Sequence, residues 1–223
     1  MEVKYIRRDL SKVIEEAQRY FSVITITGPR QSGKTTLIRN LFPQLPYYSL
    51  ENPDTRSFAE NDPIAFLNQS TTGMILDEVH NAPDLLSYIQ GIVDNDTNRR
   101  FILSGSSQFS LLKKVTQSLA GRTAVFELLP LSYSEIRDMV ATTTLDQLLF
   151  KGFYPAIYSG RNIPEFLYPA YIKTYLDKDV RDLLQIKNMM QFHTFMRLCA
   201  GRIGSVFNAS ELANEIGVSS HTI

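Results

Sequence analysis

Apolar positions along the chain switch between two periods, and the switches mark out its elements. Leu10, Val13, Ile14, Ala17 and Phe21 recur at helical spacing behind Asp9, so the pattern predicts a helix over Asp9–Tyr20 with Asp9 as its cap. Ser22–Thr27 (SVITIT) is β-branched and apolar and reads as a strand; GPRQSGKTT breaks it, and a helical pattern follows the glycines. A second short strand is predicted at Tyr47–Leu50, then Pro- and Asp-rich punctuation with helical turns at Asp54–Glu60 and Asp62–Gln69. Gly73 opens a third strand, Met74–Glu78, apolar until it ends in two acids. Leu85, Leu86, Ile89, Ile92 and Val93 put a helix over Pro83–Asp94, and Arg100–Ser104 reads as a fourth strand. Phe109, Leu112, Val115 and Leu119 imply another helix, and Ala124–Leu128 a fifth strand. Strands alternating with helices predict an α/β fold, a parallel sheet covered on both faces.

After Pro130–Ile136 (PLSYSEI) the pattern is mostly helical, interrupted by Gly152–Gly160, with helices at Pro164–Leu184 and Met189–Ile203. A soft boundary falls between Leu128 and Pro155. Near the end, Leu212, Ala213 and Ile216 form a short helix, followed by Gly217, Val218 and Ser219 as a new cap, the opening of a helix-turn-helix. The expected division is a first α/β core over 1–130, a helical region over 131–203, and the start of a further helical unit over 204–223. The expectation is that the chain is the N-terminal part of a longer protein. The recognition helix that would enter a DNA groove has barely begun at Ile223.

Composition changes this picture little. With 223 residues, 43% hydrophobic and 21% charged, the chain is ordinary globular protein, and disordered or disulfide-scaffold classes are excluded. Lys+Arg 23 balance Asp+Glu 23, so overall charge gives no support to non-specific binding of nucleic acid or a membrane surface. No apolar run approaches the roughly 18 residues that span a bilayer, and MEVKYIRRDL lacks a signal core, so no membrane partner is expected and the default location is cytoplasmic. Cys199 cannot form an internal disulfide and reads as a small buried hydrophobe. His80, His193 and His221 are too scattered for zinc. Asp177–Arg181 and Lys178–Asp182 are i,i+4 pairs of a solvated helix face, a reading favoured over a second metal site involving Asp179. The aromatics of Phe150–Tyr175 read as core with polar tips.

The chemistry lies in Gly28-Pro29-Arg30-Gln31-Ser32-Gly33-Lys34-Thr35, which matches the P-loop pattern G-x-x-x-x-G-K-[ST] between a predicted strand and a predicted helix. Binding a triphosphate requires several backbone N–H groups aimed inward, and glycines allow that approach. Gly28 through Thr36 are the candidate nucleotide-binding residues, with Lys34 reaching the β/γ-phosphates and Thr35 offering its hydroxyl to Mg2+. Asp77, at the end of an apolar strand, is the candidate carboxylate for the metal, and Glu78 the candidate to polarise the attacking water. Ser104 is a candidate phosphate sensor in Ser104-Gly105-Ser106-Ser107; Gln108 could orient water, or Ser106 and Ser107 could simply cap a helix. Arg122 either supplies positive charge to the transition state, in cis or from a neighbouring subunit, or pairs with an acid such as Glu127.

Taken in order, GPRQSGKTT, Asn52-Pro53-Asp54, Asp62-Pro63, ILDEVH, LSGSS, SLAGR, PLSYSEI, GFYPAIY, KDVRDLLQI and ELANEIGVSSHTI resemble a prokaryotic family of AAA-type P-loop ATPases. The family is close to the archaeal ATPase group, and its members carry a winged helix and an uncharacterised C-terminal domain. The resemblance covers almost the whole chain. It implies a three-layer P-loop NTPase with a five-stranded parallel sheet in the order 5-1-4-3-2. It also implies ATP at Gly28–Thr36, magnesium at Thr35 and Asp77, and hydrolysis assisted by Glu78. ATP rather than GTP is a family inference, in keeping with the absence of a guanine-reading NKxD pattern. His80 stands where relatives often carry Gln, and Tyr133 where Phe is usual. The leading functional expectation is an ATPase coupling hydrolysis to a conformational change, as a homo-oligomer or with a protein or DNA partner of the longer chain. Rivals are a nucleotide-gated binding module and, more remotely, a small-molecule kinase.

Overall fold

Strands form at Val23–Thr27 (β1), Tyr47–Ser49 (β2), Gly73–Asp77 (β3), Arg100–Gly105 (β4) and Thr123–Glu127 (β5) in the computed structural model of the protein, which describes residues 5–105, 118–176 and 188–223. All pair in parallel, in the order β2-β3-β4-β1-β5. This is the expected 5-1-4-3-2 order read from the other edge: a P-loop NTPase sheet with the fourth strand inserted between β3 and β1.

Alternation along the three central strands, β1, β3 and β4, explains why their runs are largely apolar and buried almost throughout. Ile24, Ile26, Ile75 and Ile102 face one side, against Ile14 of helix α1 (Leu10–Ala17) and Leu37 and Ile38 of α2 (Lys34–Leu41). Val23, Met74, Leu76, Phe101 and Leu103 belong to the opposite cluster, with Ala59 of α3 (Pro53–Asn61), Phe66 and Leu67 of α4 (Pro63–Leu67), and Leu86 and Ile89 of α5 (Leu85–Asn95). A strand covered on both faces buries odd and even positions alike, each large side chain contributing about 1.5–3 kcal/mol. Two punctuation marks of the sequence are helix caps. The Asn52 side chain accepts from the N–H groups of Asp54 and Thr55 before Pro53 opens α3, and the Asp62 side chain accepts from Ala65 N–H at the start of α4. Gly73 is required by a close approach: at φ +107, a Cβ there would stand 1.8 Å from the Arg100 carbonyl oxygen.

The chain separates into two units, Met1–Ile163 and Pro164–Ile223. In the first, a capping box between Ser132 and Glu135 starts α6 (Tyr133–Ile136), and α7 (Leu145–Lys151) and α8 (Pro155–Tyr158) follow. Leu131, Ile136 and Val140 pack there with Ile6, Leu148, Phe153 and Tyr158. The second unit holds α9 (Pro164–Tyr171), a π-helical stretch at Ile172–Leu176, α10 (Met189–Gly201) and α11 (Ala209–Ile216). Pro169 inside α9 cannot donate to the preceding turn, and the helix widens just beyond it. The Asn208 side chain caps α11, and Gly217 closes it at φ 76. Among the described residues, no helix is long and apolar enough to cross a membrane.

Several expectations need correction. Asp9 does not cap α1: its backbone is already helical, and its carboxylate accepts from Ser134 Oγ at 2.7 Å. The helix ends at Ala17 rather than Tyr20. β3 stops at Asp77, because Glu78 turns left-handed (φ 54, ψ 46). Cys199 is half-buried, on a helix with no fully buried residue. Phe150 and Phe166 are exposed rather than core. Ser106, Ser107, Gln108, most of the helix expected around Phe109–Leu119, and the charged run Asp177–Asp182 lie outside the described residues.

Candidate functional site

The site forms where β1, β3 and β4 end side by side, a consequence of parallel strands sharing one carboxyl edge. β1 delivers the chain into Gly28–Gly33. Gly28 sits at φ +140, where a Cβ would fall 2.2 Å from the Leu128 carbonyl oxygen, so a side chain at this position would push the loop off the end of β5. Gly33, at φ 96, is the N-cap of α2 and makes no side-chain cap. The first turn of α2 therefore presents backbone N–H groups without intrahelical partners, at the positive end of the helix.

Lys34 is buried, and its Nζ donates to the carbonyl oxygens of Gly28 (2.9 Å) and Pro29 (3.0 Å). Burial lowers its pKa from the ordinary lysine value, while the charges of Glu78 and Asp77 work in the opposite direction. Thr35 Oγ1 donates to Asp77 Oδ2 at 2.6 Å. Ser104 Oγ, fully buried at the end of β4, makes a short bond to the other oxygen, Asp77 Oδ1. These contacts link the loop, the acidic strand and the inserted strand around one carboxylate. Ser32 Oγ is also buried and has no hydrogen-bond partner among the described residues.

Glu78 leaves the strand in a left-handed turn and projects separately from Asp77. Its Oε2 lies 3.2 Å from His80 Nδ1, both side chains being about one-fifth exposed. Gln31, inside the loop, is the other non-glycine residue with positive φ among those described. Gln31 and Thr36 are exposed, whereas Pro29 and Arg30 are half-buried.

Arg122 is not brought to this site within the chain. It precedes β5, and Thr123 pairs with Val23 at the start of β1, so it stands at the opposite edge of the sheet from the loop. Its partner is Asp94, through Nε at 2.5 Å and Nη2 at 2.9 Å, rather than Glu127. That pair lowers the Asp94 pKa and raises that of Arg122, chiefly through the hydrogen bond.

Two further groups belong to the site and were not anticipated. Tyr47, on β2, donates its hydroxyl to Asp77 Oδ2 at 2.7 Å, so three hydroxyls converge on one carboxylate. Burial and the Asp77 contact push the Tyr47 pKa up, and the Arg39 guanidinium lies 4.9 Å from its ring centroid. Arg8, 6% exposed, reaches the loop from the N-terminal segment and donates to the Ser32 carbonyl oxygen at 2.8 Å. Tyr47 looks like any β-strand aromatic in sequence, and Arg8 like a solvent-exposed charge before a helix; neither carries a local signal.

The donor set fits a hard divalent cation: one hydroxyl and one carboxylate oxygen at hydrogen-bond distance, with no sulfur or imidazole. The orphaned Ser32 hydroxyl and the buried ammonium among loop carbonyls fit an anion cradle alongside it.

Residues 20–137 match the AAA domain family, and residues 142–223 match a domain of unknown function, DUF8612. The uncharacterised protein Rv2008c of Mycobacterium tuberculosis is 32% identical over 225 residues, covering 97% of this chain and 49% of the relative. The uncharacterised protein MJ1544 of Methanocaldococcus jannaschii is 21% identical over 239 residues, covering 95% of this chain and 53% of the relative. The chain thus spans about half the length of the curated relatives it matches. Among solved structures, the Walker-type ATPase PABY2304 of Pyrococcus abyssi shares the fold, with TM-score 0.56, 16% identity, and coverage of 81% of this chain and 76% of that one.

Proposed function

The chain belongs to the AAA domain family and is a nucleotide-binding, ATPase-like protein; on that footing we propose that it hydrolyses ATP to ADP and phosphate with Mg2+ and couples this to a conformational change. The observation that carries the reading is the convergence of Thr35, Asp77 and Ser104 beside a buried Lys34 at the end of β1. Gly28–Thr36 would wrap the phosphates through backbone N–H groups, and Lys34 would exchange its carbonyl partners for phosphate oxygens. Thr35 and Asp77 would hold the magnesium ion, which when bound neutralises phosphate charge. Glu78 would accept a proton from water as the water oxygen bonds to the γ-phosphorus. The bond from that phosphorus to the β–γ bridging oxygen breaks, and ADP leaves with its electron pair. Ser104 would hold Asp77 in register and sense the γ-phosphate.

Positive charge for the transition state would come from a second copy of the chain, since Arg122 stands at the far edge of its own sheet. The division into core (1–130), helical lid (131–203) and start of a winged helix (204–223) is part of the same proposal, with a DNA or protein partner engaged by the longer protein. A nucleotide-gated module with slow hydrolysis is the second reading. It is favoured by the Glu78–His80 contact and the remoteness of Arg122.

Phosphate release from Mg-ATP by wild type and Glu78→Gln, over a range of protein concentrations, tests both. Turnover lost in the variant while binding persists supports the hydrolase, and a rate per subunit rising with concentration supports charge supplied in trans. Binding without turnover in the wild type favours the gated module. Tight binding by Lys34→Ala would overturn the site.

A further inference from the structure

Arg8 uses four of its five guanidinium N–H groups on fixed acceptors. Nη1 donates to the Ser32 carbonyl at 2.8 Å, Nη2 to the carbonyls of Leu129 (2.7 Å) and Pro130 (3.1 Å), and Nε to Glu135 Oε2 at 3.0 Å. Glu135 is held in turn. Its Oε1 accepts from Asp9 N–H at 2.7 Å, and its Oε2 from Ser132 N–H at 2.9 Å, within the capping box. The Arg8 and Glu135 side chains are 6% and 4% exposed, so this is a buried pair rather than a surface contact.

The bond to Ser32 has a directional consequence. The Ser32 carbonyl belongs to the same peptide unit as the Gly33 N–H, and the described chain has no cis peptide bonds. In a trans peptide C=O and N–H point in opposite directions. Holding the carbonyl toward Arg8 therefore turns the Gly33 N–H away from it. Gly33 is the residue at φ 96 that opens α2, and a glycine there makes the peptide before it free to rotate. Rotated by half a turn, the same unit would present an oxygen, not an N–H, on the side away from Arg8.

We propose that Arg8 is a positioning residue for the phosphate loop, pinning the Ser32–Gly33 peptide so that its N–H faces the bound phosphate. The proposal rests on the reading of Gly28–Thr36 as a nucleotide site and adds what keeps its backbone poised. Its four bonds are all made to the protein, so it would act through the loop. It also ties the loop to residues 129–135, so the segment after β5 helps set the loop's conformation. Lysine cannot substitute, because one ammonium cannot span acceptors that a planar fork reaches in parallel.

The test uses the full chain and two ligands, a non-hydrolysable Mg-ATP analogue and inorganic tripolyphosphate, with affinities from calorimetry and a melting curve without ligand. Arg8→Lys is expected to bind both ligands about tenfold more weakly, with the ratio of the two affinities unchanged, because the loss lies in the phosphate contacts. A purely structural role would lower the melting temperature and leave the affinity of the folded protein alone, and that result would overturn the proposal. So would wild-type affinity in Arg8→Lys, or failure of both Arg8→Lys and Arg8→Gln to fold. In the unaltered protein, carbonyl-13C serine with 15N-glycine labelling isolates the peptides 32–33, 104–105 and 159–160. The Gly33 amide proton should move downfield on adding tripolyphosphate, and a stationary signal in a protein that binds the ligand would count against the geometry. Failure of the wild type to bind either ligand would sink the nucleotide-site reading itself, which separates the two failures.

Discussion

Glu78 sits at φ 54 and ψ 46, a conformation in which an L-residue crowds its Cβ against the following carbonyl. The cost is about 1–2 kcal/mol, and glycine escapes it. Glycine in turn loses about 0.5–1 kcal/mol more backbone entropy on folding. Taken at their midpoints, the two terms predict that Glu78→Gly is more stable than Glu78→Ala by about 0.7 kcal/mol. For a chain of this size that is roughly 1–4 °C in melting temperature. Both variants lose the carboxylate and its contact with His80 Nδ1, so the comparison isolates the backbone. The assay is a pair of melting curves without nucleotide, alongside phosphate release, which should be lost in both. An alanine variant melting at or above the glycine variant would refute the argument that the turn is strained. Strain at this point serves geometry: an extended Glu78 would continue β3 instead of ending it beside the loop.

Other perturbations follow from single distances. Gly28→Ala places a Cβ 2.2 Å from the Leu128 carbonyl and should weaken nucleotide binding at least tenfold, read by calorimetry, because the loop must leave the end of β5. Tyr47→Phe removes one hydrogen bond to a carboxylate, worth about 1–2 kcal/mol in a half-buried setting, and should raise the Mg2+ concentration needed for nucleotide binding. The Tyr47 pKa is raised above its unfolded value, so its stabilisation is fully present below about pH 10 and is lost as pH climbs toward the higher folded value. Melting curves of Tyr47→Phe should therefore fall less steeply with alkali than the wild type. Arg122→Ala should leave the melting temperature unchanged, since its pair with Asp94 is solvent-exposed. If it lowers turnover, the loss should vanish at protein concentrations too low for self-association.

What was legible in the sequence was local. The Gly28–Thr35 spacing and the two acids after the apolar run of β3 are each a short contiguous signal, whereas Asn52-Pro53 and Asp62-Pro63 read as punctuation and only the structure makes them helix caps. Near-continuous apolar runs identified the strands because a parallel sheet is buried on both faces, as Met74, Ile75 and Leu76 show. Periodicity failed where one residue's backbone decides, as at Glu78 and Asp9.

Tertiary structure decided which charges and hydroxyls meet. Arg8 reaches Glu135 across 127 positions, Tyr47 reaches Asp77 across 30, and Arg122 pairs with Asp94 across 28. No local pattern encodes such pairs, because they depend on strand order and on which end of each strand a residue occupies. Parallel pairing put Asp77, Ser104 and the loop at one edge of the sheet and Arg122 at the other. The motif alone thus pointed to the kind of chemistry proposed here, while the sheet decided which residues stand close enough together to take part in it.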